Sequence, residues 1–200
     1  MTTKRKVSEL NDATLPLVGN EQVMLVQSGG SVKADVSDLV RPGEIVGWGD
    51  YNDTTGSISV PADTWTDLPN NGLGSFTNQN FPPEGVNELI DVSTGYIDPT
   101  ELNLGDVLLV RNDYLVTPQT NNTAIRFRFF LGAGAGQYPL EKREPRMDEG
   151  AGVAYPHTLG AELIYMGDTN TRDNPIKLQV KVSSPCTVLN NGSVIVRLKH

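Results

Sequence analysis

Turn-forming residues interrupt this sequence at intervals of roughly 8 to 15 residues, and the stretches between them alternate apolar and polar positions. Twenty glycines and 13 prolines supply many of the interruptions. A helix needs about ten or more uninterrupted residues to bury an apolar stripe, whereas a strand needs only about four to eight. The spacing therefore excludes a helix-rich fold and leaves sandwiches and barrels of short strands.

The clearest strand is Ile176 to Val182. Ile176, Leu178, Val180 and Val182 fall on one face and Lys177, Gln179 and Lys181 on the other. Asp106 to Thr117 and Thr123 to Leu131 read as two longer strands separated by Pro118 to Asn122. Upstream, Gly47 to Tyr51, Ser57 to Val60, Ala62 to Leu68 and Val86 to Val92 are further candidates. At the end, Thr187 to Leu189 and Ser193 to Leu198 flank Asn190-Asn191-Gly192. Asn-Gly tolerates the positive φ of a tight hairpin loop, so these two segments are expected to be adjacent antiparallel strands. Roughly eight to ten strands and no amphipathic helix predict an all-β jelly-roll β-sandwich rather than a smaller barrel.

The first forty residues have a different texture. Glu21 to Gln27 and Ser31 to Val36 alternate about Ser28-Gly29-Gly30, which predicts a β-hairpin, and Ser37-Asp38-Leu39 closes the segment. So short a unit cannot bury a core of its own and must lean on something else. The expected organisation is an attachment arm over residues 1–40 and a sandwich over residues 41–200, divided near Arg41-Pro42-Gly43. The apolar side chains expected to anchor the arm are Val7, Leu10, Val23, Leu25, Val32, Val36 and Leu39.

Charge narrows the function. A net charge of -8 argues against a nucleic-acid partner, which requires a local excess of Lys and Arg. Met1 to Lys6 is basic, but no apolar run follows it, so no signal peptide is expected. No segment is apolar for long enough to form a membrane helix. The single cysteine, Cys186, forbids an internal disulfide, is compatible with a reducing compartment, and reads as a buried thiol.

No catalytic constellation emerges, so no enzyme activity, metal or cofactor is expected. Gly132-Ala-Gly-Ala-Gly136 lacks the ending of a phosphate loop and reads as a flexible strand exit. Asp168 to Asp173 has oxygen ligands at spacing reminiscent of a calcium loop, but lacks the glycine and closing glutamate, and reads as a turn. His157 and His200 show no metal-ligand spacing. Arg126 and Arg128 alternate with Ile125, Phe127 and Phe129. Their first reading is outward charges that guard a sheet or pair with acids, and their second is a basic stripe for an acidic polymer. Glu141 to Glu149 mixes signs and reads as a solvated loop. Trp48, Tyr51 and Trp65 are candidates for core anchors or a subunit contact, with a glycan-stacking platform as the alternative.

Two sets of residues resemble a known group. "KVSELNDATLPLVGNEQVMLVQSGGSVKADVSDL" (residues 6–39) resembles the N-terminal attachment module of tailed-phage tail and head fibres. "WGDYNDT", "TWTDLPNNGLGSFTN", "FPPEGVNELIDVSTG" and "IYMGDTNTRDNP" together resemble a C-terminal module of phage virion proteins with a tumour-necrosis-factor-type jelly roll. The resemblance implies a non-enzymatic virion structural protein that forms a homotrimer and binds the major capsid protein or another virion component through its arm. No shaft of repeats or coiled coil separates the two modules, which favours a capsid decoration or head-fibre protein over a long tail fibre. A tail-associated protein that binds a receptor or surface glycan is the alternative.

Overall fold

The computed structural model describes residues 22–27, 30–35 and 45–200. The chain divides into two compact units, Met1–Arg41 and Pro42–His200. In the first, β1 (Gln22–Gln27) and β2 (Gly30–Asp35) form an antiparallel hairpin that pairs Val23 with Ala34 and Leu25 with Val32. The innermost pair is Gln27 and Gly30. The remaining anchor candidates, Val7, Leu10, Val36 and Leu39, lie outside the described residues.

The second unit is a sandwich of two antiparallel sheets. Its strands are β3 (Ile45–Tyr51), β4 (Ser57–Val60), β5 (Thr66–Asp67), β6 (Ile90–Asp91), β7 (Tyr96–Ile97), β8 (Val107–Pro118), β9 (Ile125–Leu131), β10 (Tyr138–Arg143), β11 (Tyr155–Tyr165), β12 (Lys177–Val182) and β13 (Cys186–Leu198). One sheet has the order β11-β8-β13-β3, with β4 also pairing β13, and the other has the order β10-β9-β12-β5. The chain changes sheet between β4 and β5, between β8 and β9, between β10 and β11, between β11 and β12, and between β12 and β13. This alternation of antiparallel strands between two facing sheets is a jelly roll. Strands β6 and β7 form a separate small ribbon, and the one α-helical turn among the described residues is α1 (Thr169–Arg172).

Period-2 patterning builds the core. Strand β8 buries Leu108, Val110, Tyr114 and Val116, while β9 buries Ile125, Phe127, Phe129 and Leu131. Ile176, Leu178, Val180 and Val182 are buried as their alternation predicts. At one end of the sandwich Arg197 and Asp106 form an ion pair of 2.8 Å with almost no exposure of either side chain. Asn103 and His200 donate backbone N–H groups to the same carboxylate, and Arg197 also donates to the Glu84 carbonyl.

Two local expectations are corrected. Asn190-Asn191-Gly192 is not a hairpin loop: β13 runs straight through it, with a register shift between Asn190 and Gly192 against β8. The Asn190 side chain accepts from the Gly192 N–H and donates to the Pro69 carbonyl, and Asn52 donates to the Asn191 carbonyl. Residues that favour a turn here build a bulge, because β13 changes partner from β4 to β3 at this point. The mixed-sign run is likewise not all loop, since Glu141, Lys142 and Arg143 lie in β10.

Candidate functional site

Cys186 is buried, and desolvation pushes its thiol up to about 12, so it carries no thiolate at neutral pH. His157 faces the interior beside Phe127, with ring centres 5.8 Å apart, and burial holds its imidazole below the ordinary value. Asp168 caps α1, its Oδ1 accepting from the Thr171 N–H at 2.7 Å, while Arg172 pairs with Asp173. Asn170 reaches from that helix to the Gly132–Gly136 segment, where it accepts from the Ala133 N–H and donates to the Gly136 carbonyl. The glycines admit it: a Cβ on Gly132 would stand 2.4 Å from Asn170 Nδ2. Among the described residues no cluster of three or more His, Cys, Asp or Glu side chains is placed to hold a metal ion.

The three aromatic candidates are not brought together. Tyr51 is buried, and its hydroxyl accepts from the Leu89 N–H at 2.9 Å. Trp48 stands on the outer face of the first sheet, stacked on Phe81 with ring centres 5.4 Å apart. Trp65 lies beside the second sheet, its ring centre 4.1 Å from the Arg128 guanidinium and 5.9 Å from that of Arg126.

The outer face of the first sheet is unusual for a surface. Cross-strand registration lines up Leu163, Leu109, Val196 and Trp48 in one rung and Tyr165, Val107, Leu198 and Ile45 in the next. Both rungs are wholly apolar across all four strands. Leu163, Tyr165 and Ile45 are 61%, 57% and 62% exposed, although a sheet with one solvated face normally carries polar residues there. The next outward position on β8 is Arg111, paired with Asp113, so charge returns where the patch ends. At the adjacent edge of the sandwich, between β10 and β11, a cleft of about 380 Å³ is lined by Phe127, Phe129, Leu140, Leu159 and Leu163. Lys142 and Glu162 bridge its mouth at 2.6 Å.

The outer face of the second sheet is charged and aromatic. Arg128 lies over Trp65 and Phe130 and donates to Gln179 at 2.7 Å, and Arg126 pairs with Glu141 at 2.9 Å. Lys177 sits 4.7 Å from the Tyr96 ring centre and 3.4 Å from Asp67. Burial works to raise the Asp67 carboxyl, but hydrogen bonds from Gln179 and Tyr96 and the charge of Lys177 outweigh it and hold the group low. Arg126 thus meets an acid and a ring, whereas Arg128 meets two rings and an amide.

Leu163 and Tyr165 carry the apolar face and have no counterpart among the strands expected from sequence. Their strand, β11, contains a register shift between Leu159 and Glu162 that breaks the alternation. The signal was the apolar content of Leu159, Leu163, Ile164 and Tyr165 without its period.

The fold and these two faces define an all-β jelly-roll sandwich with an apolar outer sheet face. No protein-family model matches this sequence, and no curated protein matches it. Solved structures similar to it include Eiger TNF from S. frugiperda, 14% identical over 80% of this chain and 94% of that one, with a TM-score of 0.43. The PRD1 vertex protein P5 is 13% identical over 78% of this chain and 100% of that one, with a TM-score of 0.36. The Gt strain structure of infectious bursal disease virus is 10% identical over 95% of this chain, which spans 42% of that chain, with a TM-score of 0.35.

Proposed function

We propose that this chain is a non-enzymatic virion structural protein: a phage capsid decoration or head-fibre protein that forms a homotrimer through its jelly roll. Residues 1–40 would attach it to the major capsid protein or another virion component. The observation that carries self-assembly is the pair of apolar rungs on the outer face of the first sheet. Apolar surface of this kind gains about 25 cal/mol for each Å² removed from water. The adjoining edge cleft between β10 and β11, lined by apolar and charged side chains alike, offers a second surface for the contact. Edge-on-face contact is heterologous, and such contacts close into rings when the rotation permits. Placement on a phage particle rests on the resemblance of residues 6–39 to fibre attachment modules.

Native mass spectrometry is expected to give about 65 kDa, three chains of 21.7 kDa. Deleting residues 1–40 should leave that assembly intact and abolish binding to particles. Full particle occupancy by the truncated protein would refute the role of the arm, and a 21.7 kDa species at micromolar concentration would refute the assembly.

A further inference from the structure

We infer that the outer face of the second sheet holds a binding site for an acidic saccharide, a sugar bearing carboxylate or sulfate groups. Registration places Lys181, Arg126 and Arg143 directly opposite one another on β12, β9 and β10. Neighbouring strands lie only about 4.8 Å apart, and like charges directly opposite one another destabilise a sheet. Glu141 takes Arg126, but Arg143 and Lys181 make no ion pair among the described residues. Arg146, on the loop after β10, is likewise without an acidic partner there. All four cations line one surface depression of about 410 Å³, within the range of roughly 300–1,000 Å³ of small-ligand sites. A chain with eight more acidic than basic residues thus gathers four cations around one hollow, three of them without an ion pair among the described residues.

The remaining lining selects the class of anion. Asp63 and Glu144 share the wall with the cations. Carboxylates accept hydrogen bonds from the hydroxyls of a sugar ring, which the backbone of a DNA strand lacks. Ser183 has its hydroxyl oxygen engaged by the Ala124 N–H at 2.8 Å, which leaves its own proton free to donate. Asp63 holds φ at 54°, in the left-handed region, with its N–H fixed to the Val182 carbonyl at 2.7 Å, so its backbone is fixed beside the depression. Cations for the acid group and oxygen acceptors for the hydroxyls are the two sets of contacts an acidic sugar requires. The site lies on the sheet opposite the two apolar rungs.

The test is calorimetric titration of the full-length protein with an oligogalacturonate, a sulfated oligosaccharide, a neutral oligosaccharide of equal length and a single-stranded DNA oligomer. Binding of at least one acidic saccharide is expected, weakening severalfold between about 50 and 250 mM salt, with none of the neutral sugar. Arg143→Gln with Lys181→Gln should reduce affinity about tenfold or more while leaving the thermal midpoint unchanged or raised, because a like-charge rung has been relieved. Arg146→Gln, a loop substitution, should weaken binding in the same direction, and Lys199→Gln, which removes a charge elsewhere, should not. Silence toward both acidic saccharides, equal binding of the neutral one, or tighter binding of DNA would each overturn the inference. A fall in thermal midpoint in the double variant would overturn its premise that these cations serve a ligand rather than the fold.

Discussion

Arg197 and Asp106 are the residues on which the end of the sandwich depends. Their side chains are 4% and 0% exposed, and the carboxylate accepts from the Arg197 guanidinium and from two backbone N–H groups. Asp106→Ala should therefore cost about 3–5 kcal/mol in a urea unfolding series, since it strands a buried guanidinium. Glu162→Gln, which breaks the solvent-facing pair with Lys142, should cost no more than about 1 kcal/mol. His157 gives a pH dependence. Burial depresses its folded-state value, so near pH 6.5 the unfolded chain takes up a proton that the folded chain refuses. Its contribution is complete above that pH and declines as pH falls below it. The urea midpoint should drop between pH 7.5 and 5.5 in the parent and drop less in His157→Gln. His157 was legible as a lone histidine without metal spacing, whereas its burial depends on Phe127 from the opposite sheet.

At the scale of elements, β12 was legible and β13 was misread for one physical reason. Alternation is local and shows which face a strand buries, but a strand pairing with two partners carries a discontinuity that local reading takes for a turn. Gly192 has φ of +148°, and a Cβ there would lie 2.9 Å from the Tyr51 carbonyl oxygen and the Asn52 amide. Gly192→Val should therefore destabilise the protein by about 2 kcal/mol or more, read as a lowered urea midpoint at unchanged m-value. The same logic hides β11, whose bulge between Leu159 and Glu162 shifts the apolar period midway. Both of these register shifts lie on strands of the first sheet.

For the whole molecule, the question is what covers the two apolar rungs. Leu109→Glu places a carboxylate in the middle of the Leu163, Leu109, Val196 and Trp48 rung without touching the core. Its expected outcome is dissociation to a folded single chain, read as a fall in native mass with the β circular-dichroism spectrum preserved. Retention of the assembled mass would move the contact to another face. The sequence by itself determined the all-β class, the sandwich and the inward rows of β9 and β12, because a two-residue period and frequent turn residues are local properties of the chain. It also set apart the hairpin near residues 22–35, whose glycine-rich turn is visible without any tertiary contact. Only the tertiary structure decided that Leu163, Leu109, Val196 and Trp48 share one rung and Lys181, Arg126 and Arg143 another. Each rung draws on strands far apart in sequence, and cross-strand registration is set by the packing of the whole sandwich rather than by any one segment.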